Sequence, residues 1–255
     1  MKELYRYRDL IWTLVERDLK VRYKRSAIGF LWTMLQPLLL LTVLTLVFSQ
    51  IFRFNLRNYP VYALAGILFW NFFQQTIVSS MNSLSANANI LKKLPVPLAV
   101  FPVATVISGL VNLLFAFVPL FGILIWTGHP ITPALTFLPV AVLIAVIFTL
   151  GAGLILSPLS VLFSDVVEFI TVLMTLLFYM TPVIYPKSIV EGTRFFWVVR
   201  FNPIRSILEV FRDPIYFGKV PPADHLLLAT LIAVAALLIG IVAFRRSADR
   251  IPFYI

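Results

Sequence analysis

Cysteine is absent, and charged side chains make up only 13% of the 255 residues. The first absence excludes disulfides and thiolate metal sites and leaves the redox compartment unmarked. The second excludes an ordinary soluble protein, in which about 25% of residues are charged. With 60% of residues hydrophobic, the chain reads as an all-α integral membrane protein with little mass outside the bilayer. No phosphate-cradling loop of the form GxxxxGK[ST] exists. Gly218-Lys219 is followed by Val220 and has no glycine five residues before it, so the chain is not expected to hydrolyse nucleotide, act as an enzyme or hold a cofactor. The two histidines, His129 and His225, are isolated, which argues against a metal site. No carboxylate falls in the presumed hydrocarbon core, which weakens the case for a membrane-embedded hydrolase and for a proton-coupled pump.

What is present is organised around Arg17 to Pro37, RDLKVRYKRSAIGFLWTMLQP. Mixed charge stops at Ser26, and no ionisable residue follows from Ala27 to Phe52. This pattern places a basic helix on a membrane surface with a spanning helix directly after it. Met1 to Arg25 lacks an apolar core and a small-residue cleavage site, so no cleavable signal peptide is expected. Within it Leu4, Tyr7, Ile11, Leu14 and Val15 recur at helical spacing, with Trp12 and the tyrosines suited to the headgroup layer. The net charge of +10 points to anionic lipid headgroups before nucleic acid.

Six spans are expected, since a span needs about 20 apolar residues. They fall at about 28–52, 63–81, 103–126, 134–163, 166–185 and 225–244, with Pro37 kinking the first. The second carries Asn71, Gln74 and Gln75 among four aromatics. Amides at that depth face protein or water, either as interhelical hydrogen-bond glue or as a channel lining. A short loop with one helical turn, carrying Lys92 and Lys93, comes next. Asp165 is expected to cap the fifth span, with Glu168 completing a capping box. Residues 186–222 are too interrupted to span, and two short helices at about 193–201 and 204–214, split at Asn202-Pro203, read as a re-entrant pair. The organisation is one transmembrane domain: an interfacial helix at 1–26, spans one to five within 28–185, a re-entrant periplasmic region at 186–222, span six at 225–244 and a tail at 245–255. Thirteen lysines and arginines lie on the side of the termini and eight on the other, which puts both termini in the cytoplasm.

RDLKVRYKRSAIGFLWTMLQP, FYMTPVIYP (178–186) and FNPIRSILEVFRD (201–213) together resemble the type-2 ABC exporter permeases that move cell-surface polysaccharides, the O-antigen, capsule and teichoic-acid exporters, and the O-antigen subunits most. The resemblance covers nearly the whole chain in order. Ser164 departs from it, where the family often has arginine. It implies a homodimer with a channel between protomers, two copies of a separate cytoplasmic ATPase carrying ATP and Mg, a lipid-linked polysaccharide substrate, and the bacterial inner membrane as location.

On that reading, aromatic rings stack on the C–H faces of a moving sugar chain. The lining candidates are Trp32, Phe69, Trp70, Phe73, Tyr179 and Tyr185, with Phe196, Trp197 and Phe201 as an exit gate. Force from the ATPase would enter through Arg17, Lys20, Lys92 and Lys93. A lipid-linked pyrophosphate would meet Arg22, Lys24 and Arg25 together with Arg17 and Lys20. Rival readings are an exporter of a small lipid or drug with the same fold, a proton-coupled carrier without an ATPase, and a scaffold.

Overall fold

The computed structural model describes residues 6–24, 28–50, 58–251 and 254, without the side chains of residues 22, 23, 30 and 47–50. Leu4 and Arg25 lie outside that description, as does the Arg22 side chain.

The described chain is helical. In order, the helices are α1 (Arg8–Tyr23), α2 (Trp32–Gln50), α3 (Tyr59–Ala86), α4 (Val100–Trp126), α5 (Leu138–Leu162), α6 (Val166–Met180), α7 (Phe196–Phe201), α8 (Pro203–Arg212) and α9 (Ala223–Ala248). Among the described residues, four stretches are long and apolar enough to cross a membrane: α3, α4, α5 with its leading turn, and α9. Two shorter apolar helices, Trp32–Leu46 and Val166–Met180, occupy the places of the first and fifth expected spans. The chain is a multi-pass membrane protein.

Helix α3 is the spine. Every residue from Val61 to Trp70 is buried, as befits a helix apolar all round and enclosed by others. Its start is fixed by Asn58 in the left-handed region (φ 57°) and by proline in its first turn. Helices α4 and α5 pack beside it, and α9 packs on α5. Between helices in lipid, apolar area gives little net drive, so small residues that let backbones approach become important. Gly151 of α5 shows this, because a Cβ there would overlap the backbone of Ala236 on α9. Ser160 on α5 donates to the Met81 carbonyl of α3 at 2.6 Å, a polar tie between the same layers.

Several expectations need correction. The apolar stripe of α1 is not spread on a bilayer surface. Ile11, Leu14 and Val15 are buried against Leu84, Val100, Phe101 and Ala104, while Trp12 is exposed. The fifth span ends at Met180 rather than 185. Thr181 is extended (ψ 135°), as expected of a residue before proline, and Pro182 cannot continue the ladder. The capping box is not formed. Asp165 sits in the helical region of backbone space with no side-chain cap bond, and its carboxylate accepts from the Ser164 hydroxyl at 3.1 Å instead. The interrupted region holds two short helices close to those expected. They lead into a π-helical turn, Asp213–Phe217, closed by Gly218 at φ 61°.

Gly151→Ala should therefore pry α9 from α5 and cost about 1–3 kcal/mol, the range for overpacking a filled contact. A lowered thermal unfolding midpoint of the purified protein would show it, and an unchanged midpoint would contradict the packing described.

Candidate functional site

Two polar constellations stand out against the apolar bundle. The first joins the two sequence blocks 178–186 and 201–213. Where α6 ends, residues Thr181 to Ile184 leave the helix yet stay buried. Their carbonyls need partners, because an orphaned buried polar group costs about 1–3 kcal/mol. Arg212, at the end of α8 and only 3% exposed, supplies them. Its Nη1 donates to the Pro182 carbonyl at 2.8 Å and to the Tyr62 hydroxyl at 2.8 Å, and its Nη2 donates to the Val183 carbonyl at 2.6 Å. The guanidinium carbon lies 3.9 Å from the centre of the Tyr62 ring, close enough for cation–π attraction.

Neighbouring residues complete the clamp. Tyr59 donates to the Ile184 carbonyl at 3.0 Å and Tyr62 to the Tyr185 carbonyl at 2.9 Å. Gly66 makes the space, since a Cβ there would collide with the Arg212 guanidinium and the Val183 carbonyl. Asn202 holds the other end, donating to the Thr181 hydroxyl at 2.8 Å while its side-chain oxygen accepts from the Ile204 N–H at 3.0 Å. That second bond caps α8. The adjacent Asp213 carboxyl is pushed up to about 6 by burial and by the nearby Glu209 charge. Among the described residues no carboxylate lies within ion-pair distance of Arg212, whose hydrogen bonds go to two carbonyls and the Tyr62 hydroxyl. A parallel tie runs from Asn58 through His129 to Tyr216. Asn58 Nδ2 lies 3.1 Å from His129 Nδ1, and His129 Nε2 lies 2.9 Å from the Tyr216 carbonyl, a pattern that needs the ring proton on Nε2.

The second constellation is a cleft of about 580 Å³ at the other end of the bundle, between α1, α2, α3 and α4. Amides and hydroxyls of α3 and α4 line it, and Arg17 and Asp18 of α1 border it.

The residues singled out in the sequence fall in different places. Phe69, Trp70 and Phe73 are 1–3% exposed and belong to the core of the helix bundle. Phe69 and Phe73 stack on one another, and Trp70 meets Phe178 edge-on. As described they pack the bundle rather than face a channel. Trp32 and Tyr179 are exposed, by 51% and 65%. Tyr185 is half-buried and donates to the Tyr179 carbonyl at 2.7 Å. Trp197 and Phe201 are exposed and stacked, with Phe196 beside them and Arg200 over the rings of Phe196 and Trp197. Lys92 and Lys93 are exposed just after the turn Ala88–Leu91. Arg17 pairs with Asp18 at 2.8 Å and donates to the Asn87 side chain at 2.6 Å, and Lys20 pairs with Glu16 at 3.2 Å. Lys24 is exposed at the end of α1. The expected pyrophosphate cluster is thus partly offset by acidic neighbours.

Sequence reasoning gave Arg212 no role. The signal was there: a cation inside ILEVFRDPIYF, since a cation in an apolar stretch must find partners. Arg212→Met should strand the 182 and 183 carbonyls and cost about 2–6 kcal/mol, about 1–3 kcal/mol for each orphaned group. Arg212→Lys should recover little, because an ammonium lacks the planar fork. Thermal unfolding of both variants checks this, and full rescue by lysine would refute the fork geometry.

Comparison with known proteins agrees with the resemblance. The ABC-2 type transporter family matches residues 9–216. The chain is 34% identical over 240 residues to the O-antigen export system permease protein RfbA of Myxococcus xanthus, covering 93% of this chain and 92% of that protein. It is 32% identical over 208 residues to a Klebsiella pneumoniae protein of the same name, covering 80% and 79%. It is 20% identical over 236 residues to the polysialic acid transport protein KpsM of Escherichia coli, covering 90% of each. With its helices, its two interlocked sequence blocks and a family match spanning most of its length, the chain belongs to the ABC-2 type transporter family.

Proposed function

We propose that this chain is the transmembrane subunit of an ATP-driven exporter that carries lipid-linked cell-surface polysaccharide, of O-antigen type, across the bacterial inner membrane. The similarity to RfbA over nearly the full length of both chains carries this reading. KpsM and the capsule polysaccharide export inner-membrane protein CtrC of Neisseria meningitidis, 27% identical over 156 residues, support a glycan cargo more broadly.

On this reading there are six spans, the shorter α2 and α6 included, with both termini cytoplasmic as the lysine and arginine bias suggests. Helices α7 and α8 form a re-entrant pair in the periplasmic leaflet, tied down by Arg212 and Asn202. Two copies of the chain enclose the path, and two copies of a separate ATPase drive it with ATP and Mg. Among the aromatic candidates, Trp32 and Tyr179 are the ones exposed enough to line a path between protomers, with Trp197 and Phe201 toward the exit. Lys92 and Lys93 offer an exposed cationic step for the ATPase. The bond from Arg17 to Asn87 links that step to α1, so a push at the loop would be shared by both.

Removing the gene should abolish the surface polysaccharide and leave its lipid-linked form inside the cell, with a plasmid copy restoring display. Unchanged surface polymer in the deletion strain would reject the reading. Lys92→Glu with Lys93→Glu should lower transport-coupled ATPase activity while leaving the subunit in the membrane. Undiminished coupling would remove the loop from the force path.

A further inference from the structure

The cleft beside α1 asks for an occupant of its own. Counting about 1.5 Å per residue from Tyr59, Asn71 lies about 18 Å and Gln75 about 24 Å along α3, within a hydrocarbon layer of about 30 Å. Ser79 and Asn82 continue the same stripe toward α1. Amides at such depth are expensive unless they face protein, water or a ligand. Among the described residues, no hydrogen bond engages the side chains of Asn71, Gln75 and Ser79. Asn82 uses one amide proton locally, on the Val78 carbonyl at 3.0 Å. The Thr76 hydroxyl in the cleft wall is 2% exposed and has no partner among the described residues. Across from it, Thr105 and Ser108 of α4 also line the space.

The electrostatics narrow the ligand. The cation bordering the cleft, Arg17, is already bound by Asp18 and Asn87. Among the described residues the remaining polar lining is neutral amide and hydroxyl. Such a surface offers both donors and acceptors without a charge, which suits hydroxyls and suits a phosphate poorly. Phe72, Phe101 and Leu113 supply an apolar flank, against which ring C–H faces or the start of an acyl chain can rest. The volume falls in the range of small-molecule sites, about 300–1,000 Å³. The described walls all belong to one chain, so the cleft does not need a second copy to form.

We propose that this cleft binds the uncharged, hydroxyl-rich head of a membrane lipid in the leaflet next to α1, with Gln75 and Asn82 as its main hydrogen-bonding groups. The proposal deepens the export reading, from which it takes the orientation of the cleft toward the cytoplasmic leaflet. The head is either the sugar portion of the lipid-linked saccharide awaiting export, its pyrophosphate lying outside the cleft, or that of a resident neutral glycolipid.

The test uses the full chain purified without sugar detergents and three photoactivatable probes that share one alkyl tail: an alkyl maltoside, an alkyl phosphocholine and an alkyl phosphate. Mass spectrometry maps the labels. The maltoside should label α3 around 71–82 and α4 around 105–112, and unlabelled alkyl maltoside should compete where alkyl phosphate does not. Gln75→Leu with Asn82→Leu should weaken that labelling about tenfold, the loss of two neutral hydrogen bonds. Competition on the unaltered chain decides the matter even if that variant does not fold. Equal labelling by all three probes, or preference for the phosphate, overturns the proposal. Displacement by purified lipid-linked saccharide, by a neutral diacyl glycolipid, or by both supports it and assigns the source; displacement by neither overturns it. Because these are binding measurements on purified protein, they can fail while the deletion strain still loses its surface polymer, and the reverse holds too.

Discussion

Backbone that leaves a helix inside an apolar bundle has to be re-satisfied on the spot, and here one guanidinium and two tyrosine hydroxyls share that work. The stretch from Thr181 to Ile184 is buried and non-helical. Irregular backbone at such depth is tolerated only where protein encloses it. Arg212 bonds two of its carbonyls, and Tyr59 and Tyr62 take the next two along the chain. Gly66 is required because no other side chain leaves room. The clamp therefore fixes where α6 ends, how α8 docks and which face α3 turns toward both.

The same reasoning explains why polarity is concentrated at two ends. Near the Tyr59 end of α3 the polar atoms are nearly all consumed by one another, and the result is a rigid knot. Near the Ala86 end amides and hydroxyls outnumber their internal partners, and the result is a cleft. A satisfied network makes a structural joint, whereas an unsatisfied one at comparable depth implies solvent or ligand. Helix α3 carries both.

Much of this was legible in the sequence. Long apolar runs gave α3, α4, α5 and α9, and Asn202-Pro203 gave the split between α7 and α8. The charge boundary at Ser26 marked the passage from α1 toward α2. The illegible part stems from one ambiguity. An apolar side chain in a spanning helix is equally content against lipid or against another helix, so periodicity does not say which way Phe69, Trp70 and Phe73 point. For the same reason the stripe on α1 read as a membrane-facing surface when its partners were Val100 and Phe101. The capping pattern at Asp165 and Glu168 failed differently: the motif needs an extended Asp165, and its backbone is helical. Pro182 was visible, but the stop it imposes could be placed only once Arg212 was seen to hold the Pro182 and Val183 carbonyls.

Burial alone is therefore a weak guide to function in this molecule, and the mismatch between a residue and its surroundings is a better one. A fully packed aromatic such as Phe69 matches its surroundings and is explained by packing. Tyr179, exposed on α6 with its hydroxyl-bearing ring, and Trp197 stacked on Phe201 beneath Arg200 are harder to explain as lipid-facing residues alone. Their polar handles would suit a surface that meets both sugar and hydrocarbon. Gln75 and Asn82 are mismatched in the opposite sense, as amides open to a space at membrane depth. Both kinds of mismatch stand out because packing alone does not account for them.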